Sequence, residues 1–149
     1  FNILVDPEAA KIVFESGIPI LMAGLDVTEK ALILPEDFKR IAAIGNPVAD
    51  IVAKWLEFFY IFHKSIGYDG AQMHDPCAVM ALIHPEIFEI RPMYVQIETE
   101  GELCRGTTVG DWFGTTGHAP NAECILGVDR ERFADLLVEA MKYYGEGQK

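Results

Sequence analysis

Ile18-Pro19-Ile20-Leu21-Met22-Ala23-Gly24 is the run on which the expected fold turns. It has no polar face, the pattern of a strand covered by helices on both sides in a parallel sheet. Just upstream, Asp6-Pro7-Glu8 opens a helix. Asp6 can cap the free amides, Pro7 loses nothing in the first turn, and Glu8 complements the positive end of the dipole. That helix is expected to run to Ser16 and stop at Gly17. Further back, Phe1-Asn2-Ile3-Leu4-Val5 is apolar, rich in strand-forming residues and ended by Asp6-Pro7, so it reads as a strand already under way. Strand, helix and strand with short joins make a right-handed βαβ unit. A chain that opens in mid-strand reads as a piece of a longer polypeptide, the incomplete half of a larger domain.

Downstream, Pro35-Glu36-Asp37 opens a short helix through Ile44, ended by Gly45-Asn46. From Pro47 the residues Val48, Ile51, Val52, Trp55, Phe58, Phe59 and Phe62 recur at helical spacing and form one wide stripe. The stripe reads as a core face, with a subunit contact as the alternative. Residues 64–73, with Gly67 and Gly70, read as a loop, and Asp75-Pro76 repeats the cap-plus-proline opening of a helix that ends before His84-Pro85. Met93–Glu98, Cys104–Asp111 and Glu123–Val128 read as strands, the first two joined at Gly101-Glu102 in a hairpin. Asp129 caps a last helix whose core face is Phe133, Leu136, Leu137, Ala140 and Tyr144, closed by Gly145. The expected class is α/β: a Rossmann-like, mostly parallel sheet flanked by helices, with an antiparallel C-terminal addition, residues 1–149 forming one unit.

The 149 residues are 50% apolar and 23% charged, enough to bury a core, which excludes a disordered chain. Twelve Lys plus Arg against 23 Asp plus Glu leave a net charge of −11. That field repels phosphate backbones and anionic bilayers, so neither nucleic acid nor membrane is an expected partner. No apolar run approaches the roughly 20 residues of a membrane span. No basic-then-apolar leader occurs, and Cys77, Cys104 and Cys124 are an odd number without close spacing in sequence, which suits reduced thiols better than a disulfide frame. A cytoplasmic location is the expectation.

Most catalytic signatures are missing: there is no Gly-rich phosphate loop, Cys-x-x-Cys, His-Glu-x-x-His or Gly-x-Ser-x-Gly. His63 ends a long helix, where a cation suits the dipole; His84 ends a short one; His118 lies in the polar loop 114–121. His74-Asp75-Pro76 is different in kind. Read alone, Asp75 is a helix N-cap and His74 a loop residue. The same geometry also holds a carboxylate rigidly enough to serve a hard cation, with an imidazole beside it that can donate a proton near neutral pH.

Several segments stand in one order: Phe1-Asn2 with Val5-Asp6-Pro7-Glu8-Ala9-Ala10, Gly24-Leu25-Asp26-Val27-Thr28, His74-Asp75-Pro76-Cys77-Ala78-Val79, and Arg105-Gly106-Thr107-Thr108-Val109-Gly110-Asp111-Trp112. Together they resemble the C-terminal half of the inosine-uridine-preferring nucleoside hydrolases, above all the pyrimidine-ribonucleoside branch, and the resemblance covers essentially the whole chain. It implies hydrolysis of the N-glycosidic bond of ribonucleosides with a bound Ca²⁺. The ion holds the ribose hydroxyls and a water, which an aspartate activates for attack on the anomeric carbon. Position by position, Asp75 matches a Ca²⁺ ligand, His74 the histidine that protonates the departing base, and Asn2 an asparagine that hydrogen-bonds the ribose.

Tyr68 and Gln72 fall in the loop that borders the base pocket in relatives and read as solvated loop residues; the Asp6–Ala10 and Gly24–Thr28 segments read as fold-defining caps and turns. The resemblance also implies a homo-oligomer. One departure is large. The family's Asp-rich N-terminal cluster, D-x-D-x-x-x-D-D, supplies the general base and most Ca²⁺ ligands, and it does not occur in these residues. Ca²⁺ takes about six to eight oxygens, and Asp75 gives one or two. The isolated chain is therefore expected to be inactive and to need its missing N-terminal half or a companion chain. The alternative is a non-catalytic α/β assembly module, for which an unpaired sheet edge would be the binding face.

Overall fold

Among residues 1–146, which a computed structural model describes, the elements run α1 (Asn2–Val5), α2 (Pro7–Glu15), β1 (Leu21–Ala23), α3 (Leu25–Thr28), β2 (Leu32–Ile33), α4 (Pro35–Ala42), α5 (Pro47–Ser65), β3 (Ala71–Gln72), α6 (His74–Ile83), a 3-10 turn (Pro85–Ile87), β4 (Phe88–Met93), β5 (Val95–Ile97), β6 (Thr108–Gly110), β7 (Ala122–Val128) and α7 (Arg130–Glu146). The chain forms two units, one from Phe1–Met22 with Ile90–Ile125, the other from Ala23–Glu89 with the residues from Leu126 onward. β1, β7 and β4 make a mixed three-stranded sheet in that order, and β2–β3 and β5–β6 are antiparallel pairs. The class is the expected one: α/β, with sheet and flanking helices and an antiparallel hairpin late in the chain.

In the first unit the Asp6-Pro7 opening folds as its letters predict. Asp6 Oδ1 accepts from Ala9 N at 2.9 Å, Pro7 begins α2, and Gly17 follows the helix at φ +77°. The residues before it do not. Phe1–Val5 was expected as a strand; Asn2–Val5 is instead one helical turn, closed by Val5 N on Phe1 O at 3.1 Å. The strand reading fails because a strand needs a neighbour for its backbone groups, and these residues have none among those described. With α1 helical, the expected βαβ unit is not formed.

Leu4 does find a neighbour in Gly106, at φ +83°, where an added Cβ would lie 2.7 Å from the Leu4 Cα. Only glycine fits there. The expected hairpin is present, Gln96 opposite Val109, its turn tied by Glu98 accepting from Glu100 N and Gly101 N. Asn121 pins the unit: its amide donates to Phe14 O and Val95 O and accepts from Val95 N at 2.7 Å.

β1 is shorter and less covered than expected, with Leu21–Ala23 half-buried and Ile18 exposed. It lies at one edge of its sheet, with β7 alone beside it. β4 was not read from the sequence, although Phe88 and Ile90 alternate with the exposed Glu89 and Arg91. Pro92 is tolerated there because β4 is the other edge strand.

The second unit holds a core built on Phe133, Ile33, Phe38, Ile41, Leu56 and Met141. Beneath it, Asp37 is 2% exposed and accepts from Leu34 N, Arg40 and Arg130, the last at 2.7 Å. A buried carboxylate is tolerated when it is paired this fully. α7 is capped as expected, Arg132 N on Asp129 Oδ1, and buries Phe133 and Leu136. Tyr144 is exposed, Val138 and Met141 are buried in its stead, and the helix continues through Gly145 to Glu146.

The aromatic stripe of α5 is the main correction. The face packed into the core carries Ala49, Ala53, Leu56 and His63, whereas Trp55, Phe58 and Phe62 are 64%, 77% and 61% exposed. Ala49 and Ala53 let α4 and α7 approach the α5 backbone closely, and Tyr60 on the same face meets Phe38 of α4 edge-on. Of the expected stripe only its margin, Val48 and Val52, packs against the core.

Candidate active site around His74 and Asp75

His74 and Asp75 lie in the first turn of α6, in the second unit. The helix starts two residues earlier than expected, with Met73 at the cap position, so Asp75 sits within the first turn and is not the N-cap. Its carboxylate is exposed, whereas His74 is half-buried. The same Asp-Pro letters thus give a true cap at Asp6 and a solvent-facing carboxylate at Asp75.

Side chains from two other elements, α3 and α5, meet the imidazole. Thr28, 4% exposed at the end of α3, places Oγ1 2.9 Å from His74 Nδ1. His63, near the end of α5, lies 6.4 Å from the His74 ring, centre to centre. It is 2% exposed rather than a solvated cation at a helix end. A carbonyl only accepts, so His63 Nδ1–H donates to Phe59 O at 3.0 Å. Its ring meets Phe59 at 4.4 Å, Phe62 at 5.6 Å and Tyr68 at 6.2 Å, all edge-on.

Tyr68 and Gln72 are also not solvated loop residues. Tyr68 is half-buried against His63, and Gln72 is 5% exposed in β3, opposite Leu32, with its Nε2 buried and, among the described residues, without a hydrogen-bond partner. Cys77, buried on the next turn of α6, has its thiol pushed up to about 11 by burial. It stays protonated at neutral pH, which removes it as a nucleophile.

The third predicted residue, Asn2, is exposed at the start of α1 in the first unit. The structure therefore brings His74 and Asp75 into one turn and adds Thr28 and His63 to them. Sequence reading treated Thr28 as part of a turn and His63 as a dipole cation. The one signal for His63 was its register with Ala49, Ala53, Leu56 and Tyr60, spaced four and three apart; nothing local marked Thr28.

Calcium binding needs about six to eight oxygens. Among the described residues no three of His, Cys, Asp and Glu converge as a metal would require. Asp75 is one exposed carboxylate, and no second and third such ligands join it among the described residues.

Comparison with known proteins supplies the remaining finding. Residues 1–135 match the family described as inosine-uridine preferring nucleoside hydrolase. The chain is 53% identical over 146 residues to the pyrimidine-specific ribonucleoside hydrolase RihA of Klebsiella pneumoniae, covering 97% of this chain and 47% of that protein. Among solved structures it superposes on a purine-preferring ribonucleoside hydrolase from Gardnerella vaginalis with a TM-score of 0.81 at 27% identity, over 94% of this chain and 45% of that one. A plant nucleoside hydrolase gives 0.80 at 27%, over 95% and 46%. The chain spans about half the length of the curated relatives it matches. By the extent of these matches, the chain belongs to the inosine-uridine preferring nucleoside hydrolase family.

Proposed function

We propose that residues 1–149 are the C-terminal portion of a single nucleoside hydrolase domain, and that the whole protein cleaves the N-glycosidic bond of pyrimidine ribonucleosides. Water adds to the anomeric carbon, the bond from carbon to the base nitrogen breaks, and the base leaves with a proton, giving ribose and free base. His74 hands over that proton. Asn2 hydrogen-bonds the ribose. Asp75 contributes one carboxylate to a Ca²⁺ whose other ligands, like the general base, come from outside this chain, so the chain alone is inactive. The whole protein is a cytoplasmic homo-oligomer. No helix among the described residues is long and apolar enough to cross a membrane.

The observation that carries the reading is the 53% identity to a pyrimidine-specific hydrolase along nearly the full chain. The position of His74 supports it, half-buried with one nitrogen engaged, beside an exposed carboxylate. The test is release of uracil from uridine by the full-length protein and its His74→Ala variant. A general acid contributes about 10²- to 10⁴-fold, and a loss of that size is expected. Unchanged uridine turnover would overturn the assignment.

A second reading, a non-catalytic module that assembles with itself or another polypeptide, draws on the exposed face of Trp55, Phe58 and Phe62. Hydrolysis recovered on restoring an N-terminal half would eliminate it.

A further inference from the structure

We propose that Thr28 is the positioning residue for His74, accepting the imidazole Nδ1–H and leaving Nε2 as the nitrogen that exchanges a proton. This rests on the reading of His74 as the acid of base release. Among the described residues Thr28 Oγ1 has two polar contacts, His74 Nδ1 at 2.9 Å and the Leu25 carbonyl three residues back at 3.5 Å. A hydroxyl carries one hydrogen. If that hydrogen went to Nδ1, the contact with Leu25 O would hold none. If Thr28 accepts from Nδ1–H, its hydrogen turns to Leu25 O and both contacts are used. Turning back to a carbonyl of the preceding turn is an ordinary outlet for a helical threonine.

The arrangement has a chemical consequence. A neutral imidazole carries one N–H, so fixing it on Nδ1 leaves Nε2 as a bare acceptor. The next proton adds at Nε2 and can leave from Nε2, while the Nδ1–H bond to Thr28 is the same before and after. Were Thr28 the donor, protonating the ring would force the hydroxyl to turn round at each transfer. His63 does not compete for Thr28, because its own Nδ1–H is committed to Phe59 O. Thr28 is 4% exposed, so water does not readily replace it. It touches neither substrate nor reacting atoms; it acts through His74.

The tautomer can be read without turnover, by two-bond proton–nitrogen correlation of the ¹⁵N-labelled full-length protein at about pH 8.5, roughly two units above the ordinary imidazole value. The expected wild-type pattern for His74 is a protonated Nδ1 and a bare Nε2. Thr28→Ser keeps the hydroxyl and should keep the pattern, whereas Thr28→Val removes it and should lose the Nδ1–H preference. The His63 signals in the same spectra, with Nδ1–H on Phe59, report that each variant is folded. A wild-type His74 protonated on Nε2 would overturn the proposal, as would a folded Thr28→Val that keeps the wild-type pattern. Neither result touches base release, which the His74→Ala comparison decides separately.

Discussion

Asp111 illustrates how much one side chain can be held by its neighbours. The Thr116 hydroxyl and amide, with those of Thr115, donate to its two oxygens and hold the carboxyl at about 2, below its ordinary 3.8. The folded value is the lower one, so whatever the loop gains from these bonds is complete above pH 3.8 and is lost as the pH falls towards 2. A carbon-detected titration of Asp111 should have its midpoint near 2, and Thr116→Ala should move it upward. A midpoint at the ordinary value in the folded chain would mean the loop is not closed by this carboxylate. At the same scale, His63 and Gln72 show what letters conceal. A histidine at the end of a helix and a glutamine beside a glycine loop look solvated, yet both are buried here, His63 among Phe59, Phe62 and Tyr68 and Gln72 opposite Leu32.

Two aspartates, each followed by proline, take different places in their helices. Asp6 caps α2 through Ala9 N; Asp75 lies inside the first turn of α6 and is not its N-cap. Asp6→Ala should lower stability by about 1 kcal/mol, the usual worth of an N-cap. Asp75→Ala should stay within about 0.5 kcal/mol, as exposed sites do. Denaturant midpoints of the two variants measure this, and equal losses would make Asp75 a cap after all. α5 offers a sharper contrast. Phe58 is 77% exposed, so Phe58→Ser should change stability by no more than about 0.5 kcal/mol. Phe133 is fully buried, and Phe133→Ala should cost about 3–5 kcal/mol. A large loss at Phe58 would restore the aromatic stripe to the core.

For the whole molecule the arithmetic of ligands decides what this chain can do. The matched relatives are about twice its length. Among the described residues no cluster of three metal-ligating side chains is present. Calorimetric titration of the 149-residue chain with Ca²⁺ should therefore show no micromolar binding. Micromolar binding would contradict the count and place a complete site within these residues.

Helix openings were legible in the sequence because capping is local. Asp6, Pro7 and Asp129 act on amides within four residues, and glycines such as Gly17 and Gly45 end helices by their own φ; Asn46, read as the end of one helix, also caps the next, and Asp75 is no cap at all. The hairpin and the His74-Asp75 pair were legible for the same reason, since a turn and a pair of adjacent residues need no distant partner. What stayed hidden depended on contacts across tens of residues. Phe1–Val5 took the form of a helical turn because pairing, not propensity, makes a strand. The buried face of α5 was chosen by how near α4 and α7 come, a property of backbones rather than of hydrophobic side chains. Thr28 meets His74 across 46 residues of sequence, a distance only the folded chain could close.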